Sequence, residues 1–256
     1  MTAAHCMKSQ NGSVAKFVSI SVGHSNLNSD EIVDMFVEAI KIHPQFAYQW
    51  ENDIALLKLS KELQFKKSIQ PIDLPNQNYT DAILLDTSKT KLIAAAWGRS
   101  FEISQEEVRP YKNKGFETAQ NIQEFYKWHR KFMKKAKRTN NLKFLEMFYQ
   151  KPEECIKIWK IMFPLFRKNI NIGKLKSAII CATGKVPEIQ SICHGDSGGP
   201  LMRQDMETGN IQVIGIITNG FGCSSVVPNS FTKVSKHVPW ILENSKLSRR
   251  GPLLIQ

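Results

Sequence analysis

Apolar positions along this chain come in short runs broken by turn residues. The runs Phe17–Val22, Ile54–Leu59, Lys91–Trp97, Leu142–Tyr149, Ala178–Cys181 and Gln212–Thr218 have the length and the β-branched and aromatic content of strands. The pattern predicts an all-β fold. Its period changes in two places. Within Val234–Asn244, Val238, Ile241 and Leu242 recur at helical spacing, which predicts a closing helix. Within 104–141, Ile122, Phe125, Trp128 or His129, Phe132 and Met133 recur at that spacing too. Lys127, Arg130, Lys131, Lys134, Lys135, Lys137 and Arg138 occupy the remaining positions, the pattern of a basic amphipathic helix.

Length and charge refine this picture. A chain of 256 residues, 42% of them apolar, can bury one large core or two small ones. No apolar run approaches the roughly 18 residues of a membrane span, and the N-terminal stretch lacks the apolar core of a secretory leader. The net charge of +12 is local: Lys112–Arg138 carries +7, and Ile156–Ile180, with six basic residues and no acidic one, carries +6. The rest of the chain is nearly neutral. A field concentrated in two segments, 104–141 and 156–180, suits an acidic protein, a glycosaminoglycan or an anionic membrane surface. A solvated helix face is the plainer reading. No recognised nucleic-acid-binding motif accompanies the charge, so nucleic acid is not expected as a partner.

Three motifs carry the chemistry. Gly195-Asp196-Ser197-Gly198-Gly199-Pro200 follows Cys193, Thr2-Ala3-Ala4-His5-Cys6 opens the chain, and Asn52-Asp53-Ile54-Ala55-Leu56-Leu57-Lys58-Leu59 lies between them. A nucleophilic serine needs a base that accepts its proton and a group that orients the base. Together the segments resemble those around the catalytic serine, histidine and aspartate of the trypsin-like serine proteases, in that family's order. The resemblance implies that Ser197 is the nucleophile, His5 the general base and Asp53 the orienting carboxylate. Gly195 and Ser197 would supply the oxyanion-hole N–H groups. It implies a serine endopeptidase acting through an acyl-enzyme on protein or peptide substrates, monomeric, with no metal and no cofactor.

The same resemblance implies two six-stranded antiparallel barrels with the site between them. Residues 1–85 would be the remainder of an incomplete first barrel and 90–233 the second, carrying the insertions 104–141 and 156–180. Residues 234–247 would close the peptidase domain as the C-terminal helix, and 248–256 would be a loose tail. Bridges Cys155–Cys181 and Cys193–Cys223 are implied, whereas a further family bridge is replaced by Leu92 and Arg203. Cys6 is then the odd one of five cysteines. Its family partner lies upstream, which favours an N-terminally incomplete chain over a short form with a free thiol. The bridges and the sequons at Asn11 and Asn78 favour a secreted protein.

Specificity is expected to be non-tryptic. Ser191 aligns with the base of the primary pocket, where trypsin-like members place an aspartate, and Asn229 replaces a glycine of the pocket wall. Gly220 keeps the opposite wall open, so a small or medium uncharged residue is expected before the scissile bond. Thr218 would offer its hydroxyl to Asp53, while Asn219 lacks the indole that packs substrate. In the family a new N-terminal ammonium pairs with the aspartate at position 196 and shapes the oxyanion hole. Without it, Asp196 is expected to find other hydrogen bonds and leave the hole poorly formed, as in a zymogen. The alternative function is a weakly active or inactive protease-fold protein binding an acidic partner or glycosaminoglycan through the insertions.

Overall fold

The computed structural model describes residues 1–47, 51–76, 81–100, 124, 127, 136–162, 172–184, 191–219, 223 and 227–245. Strands β1 (Ser19–Val22), β2 (Val33–Ile42) and β3 (Ala55–Leu59) form an open antiparallel sheet in the order β1-β2-β3. The second half adds β4 (Thr90–Ala96), β5 (Lys143–Gln150), β6 (Ile179–Gly184), β7 (Pro200–Asp205), β8 (Ile211–Asn219) and β9 (Asn229–Lys233). These close into an antiparallel barrel in the order β4-β5-β6-β9-β8-β7. A 3₁₀ turn, Val234–His237, leads into the C-terminal helix Val238–Ser245. The all-β expectation and the closing helix are borne out, and the first half is an open sheet beside one closed barrel.

Alternation explains the barrel core. Leu92, Ala94 and Ala96 of β4 point inward with Leu145 and Met147 of β5, Leu201 of β7 and Phe231 of β9, as period-two side chains on a closed sheet must. Register sets Leu92 opposite Arg203, so the two residues that replace the absent bridge are cross-strand neighbours. Cys155–Cys181 and Cys193–Cys223 both form, and Cys6 is free and exposed.

Three strands escaped the hydrophobic pattern: β2, β7 and β9. Strand β9 is buried at its first four positions yet reads Asn229-Ser230-Phe231-Thr232-Lys233. Several of its polar side chains find partners, with Ser230 Oγ 3.1 Å from Thr218 Oγ1, Thr232 Oγ1 donating to Asp53 O at 3.0 Å and Asn229 Nδ2 donating to Ser191 Oγ at 3.1 Å. Buried polar positions of this kind leave no apolar signature. Strand β2 is mostly exposed, with charges at Asp34, Glu38 and Lys41.

Of the basic segment 156–180, expected to enlarge a loop, the described residues 156–162 and 172–178 lie in helices Pro152–Met162 and Ile172–Ala178. Trp159 is fully buried and donates Nε1–H to Pro228 O at 2.9 Å. Cys155, Leu175 and Val227 surround it, so the described ends of this segment are packed into the domain. Two of its lysines meet acids, Lys174 with Glu51 at 2.5 Å and Lys176 with Glu153 at 3.0 Å. The amphipathic helix expected within 104–141 lies outside the described residues except for Glu124 and Lys127, which are helical. The tail 248–256 also lies outside them.

Candidate active site

A short antiparallel bridge sets the position of His5. Thr2 N–H donates to Ala55 O at 2.9 Å, and Ala55 N–H returns to Thr2 O at 2.8 Å. Ala3 and Ala4 are fully buried, their methyl side chains letting the segment press against Ile54 and against Val213 and Ile216 of β8. Two residues further, His5 meets Asp53 twice: its backbone N–H donates to Oδ1 at 2.8 Å, and Nδ1 lies 2.6 Å from Oδ2. Burial pulls the imidazole pKa down. The Asp53 hydrogen bond, the contact with Cys6 and the Asp53 charge outweigh that and leave it pushed up to about 10. His5 Nε2 sits 3.6 Å from Cys6 Sγ.

Asp53 is buried and held from behind. Its carbonyl accepts the Thr232 hydroxyl, and the preceding Asn52 adopts the left-handed conformation, φ 53°. Asn52 Nδ2 donates to Gln45 O at 3.0 Å, and its Oδ1 lies 3.1 Å from His237 Nε2. Those bonds offset the cost of a left-handed non-glycine residue. Burial holds the His237 pKa down at about 4, so this ring is neutral near pH 7. Neither Thr232 nor His237 was singled out in the sequence, because only tertiary pairing brings Thr232 to Asp53 and His237 to Asn52. Thr218 was expected to reach Asp53, but its hydroxyl bonds Ser230 instead.

Ser197 lies on the loop between Cys193 and β7. Gly195 and Gly198 have φ 94° and 87°, conformations that only glycine adopts without strain. A Cβ on Gly198 would overlap the Thr2 hydroxyl, so this glycine is where the serine loop and the histidine segment touch. Gly198 N–H bonds Ile217 O at 2.8 Å, and Ile217 N–H bonds Gly199 O at 2.8 Å, fixing the loop to β8. The N–H groups of Gly195 and Ser197 have no hydrogen-bond partner among the described residues. Ser197 Oγ likewise makes no bond to His5 among them. A cavity of about 740 Å³ between the open sheet and the barrel is walled in part by Gly195–Gly199. His5 and Asp53 lie outside its lining.

The Asp196 carboxylate accepts two backbone hydrogen bonds: Gly98 N–H donates to Oδ1 at 2.5 Å and Cys193 N–H to Oδ2 at 2.7 Å. Of the residues assigned to the specificity pocket, Ser191 and Asn229 are buried and meet each other, Asn229 Nδ2 donating to Ser191 Oγ at 3.1 Å. Asn229 Nδ2 also reaches Ala182 O at 3.4 Å. Asn219 ends β8, and Gly220 lies outside the described residues.

A closed barrel beside a second sheet, with the segment bearing His5 touching a glycine-rich serine loop through Thr2, is the architecture of a serine protease scaffold. The sequence profile described as Trypsin matches residues 1–127 and 127–241, and the chain belongs to this family. It is 26% identical to the clotting factor G beta subunit of Tachypleus tridentatus, over 95% of this chain and 66% of that protein. Trypsin-1 of Astacus astacus is 28% identical over 96% of this chain and 83% of its own length. The chain thus spans just under two thirds of the first of these relatives. The solved structure of GrC superposes with a TM-score of 0.62 at 20% identity, covering 96% of this chain and 82% of that one, a likeness of fold alone.

Proposed function

We propose that this chain is a serine endopeptidase in which Ser197, His5 and Asp53 act as a triad. The reading is carried by the doubled contact between His5 and Asp53, set one bridge away from the loop that bears Ser197. Asp53 fixes the imidazole with Nδ1 toward the carboxylate, leaving Nε2 to accept a proton. For catalysis Nε2 exchanges its contact with Cys6 for one with Ser197 Oγ. The serine oxygen then adds to the scissile carbonyl as its proton passes to His5. His5 returns that proton to the leaving amine, and the resulting acyl-enzyme is cleaved by water in the reverse sense. The N–H groups of Gly195 and Ser197, unpaired among the described residues, are the donors for the oxyanion, each worth on the order of 3 kcal/mol in the transition state. Secretion fits the two disulfides.

Non-tryptic specificity is supported at the pocket. Ser191 places a neutral hydroxyl where a cationic side chain would need a carboxylate, and Asn229 is bonded to that hydroxyl, filling volume at the wall. Small or medium uncharged side chains are therefore the expected residues before the scissile bond. The experiment is digestion of a diverse peptide library by the purified chain, with products sequenced by mass spectrometry. Cleavage after residues such as Ala, Val, Thr or Leu is the expected outcome. Dominant cleavage after Arg or Lys contradicts the pocket assignment, and no cleavage under any condition contradicts the endopeptidase reading. That last result, with retention on heparin, would favour the alternative of a protease-fold binding protein.

A further inference from the structure

Beneath the Gly195–Ser197 loop an ammonium approaches a carboxylate that the triad does not use. The Asp196 side chain is fully buried, and Lys143 Nζ lies 3.9 Å from its Oδ2 while retaining 13% side-chain exposure. The ammonium also donates to Arg99 O at 3.2 Å. Register explains how it arrives there. Lys143 is the first residue of β5 and pairs with Ala96, the last of β4, so the strand pairing delivers it beside Trp97-Gly98-Arg99. Gly98 closes the same shell, because a Cβ there would overlap the Asp196 carboxyl. A buried carboxylate is costly unless paired and hydrogen-bonded. Here two backbone N–H groups and one cation surround it. Burial drives the Asp196 pKa up, with Lys143 and the two N–H groups opposing it. Burial likewise drives Lys143 down, with Asp196 opposing.

We infer that Lys143 is a positioning residue for Ser197: its ammonium is the built-in counter-charge of Asp196, and through that side chain it fixes the backbone that aims the Gly195 and Ser197 N–H groups. The inference rests on the nucleophilic role of Ser197. The arrangement differs from a surface ion pair, which contributes little, because the anion has no access to water and breaking the pair strands it.

The test compares the intact chain with Lys143→Met, Lys143→Arg, Asp196→Asn and the Lys143→Met/Asp196→Asn double variant. The rate of Ser197 phosphonylation by a fluorophosphonate is followed at saturating reagent, and each thermal midpoint is measured. Lys143→Met is expected to slow labelling by about tenfold or more with little change in half-saturating reagent concentration. Lys143→Arg should restore most of the rate, and Lys143→Met should add little in the Asp196→Asn background. Unchanged labelling in folded Lys143→Met, or an equal loss in the Asp196→Asn background, overturns the inference. Should the unaltered chain itself fail to label, the protease reading fails, and the thermal cycle still decides this one. Non-additive midpoint shifts support the pairing, and additive shifts overturn it.

Discussion

The barrel β4–β9 has no free edge and buries Phe231, Leu201, Ile214 and Ile217 completely in its core, whereas the sheet β1–β3 is open and leaves Phe36 of β2 to solvent, with Phe17 and Phe65 exposed in the segments flanking it. Closure satisfies every internal strand pairing and gives each inward side chain a packed neighbour. The open sheet can do neither on its own. Yet the open half carries His5 and Asp53, the two groups whose mutual geometry matters most. Their order is borrowed from the barrel: Thr232 of β9 donates to the Asp53 carbonyl, His237 beyond β9 meets Asn52, and Val213 and Ile216 of β8 pack under Ala3 and Ile54. A half with an incomplete sheet can still hold a reactive pair if the rigid half supplies its contacts.

The His5–Asp53 pair gives the largest effect by which that comparison can be tested. With the imidazole pKa raised to about 10, the neutral base needed for catalysis is scarce at pH 7. Labelling of Ser197 should rise about tenfold per pH unit toward pH 10. A plateau near pH 7 would show that Asp53 holds the imidazolium far less firmly. The linked stability has the opposite sense. A raised folded-state pKa stabilises fully below the unfolded value near 6.5, and that contribution is lost as pH rises through 10. Next in size, Phe231→Ala in the barrel core should cost about 3–5 kcal/mol in denaturant unfolding, with loss of labelling on the same curve. Thr232→Val tests the borrowed order itself. It strands the Asp53 carbonyl and should cost about 1–3 kcal/mol, lowering labelling more than half-saturation changes. Smallest of all, Phe36→Ser on the open sheet should change stability by no more than about 0.5 kcal/mol. A loss comparable to Phe231→Ala would mean that the open face is covered in solution.

The contiguous parts of the site were legible in the sequence, since Thr2–Cys6, Asn52–Leu59 and Gly195–Pro200 each carry their chemistry within a few residues. What pairing in space supplies was not. Lys143 read as one more lysine in a basic chain, and only its register opposite Ala96 brings it to Asp196. Thr232 sits in a strand too polar to announce itself, Asn229 was named there without its bond to Ser191, and Thr218 was read toward Asp53 and turns to Ser230 instead. The resemblance implied that 156–180 is an insertion enlarging the loop between Cys155 and Cys181. Burial of Trp159 and Leu175 makes part of that segment a packed helical layer. Local motifs report residue type, and register decides which neighbours those types meet.

The most direct measurement is fluorophosphonate modification of the intact chain, with the adduct located by peptide mass spectrometry and repeated on His5→Ala. The account predicts a single adduct on Ser197 that grows with pH and falls by at least about a thousandfold in rate without the imidazole. Modification of Ser197 that is equally fast in His5→Ala, or an adduct confined to other hydroxyls, would contradict it.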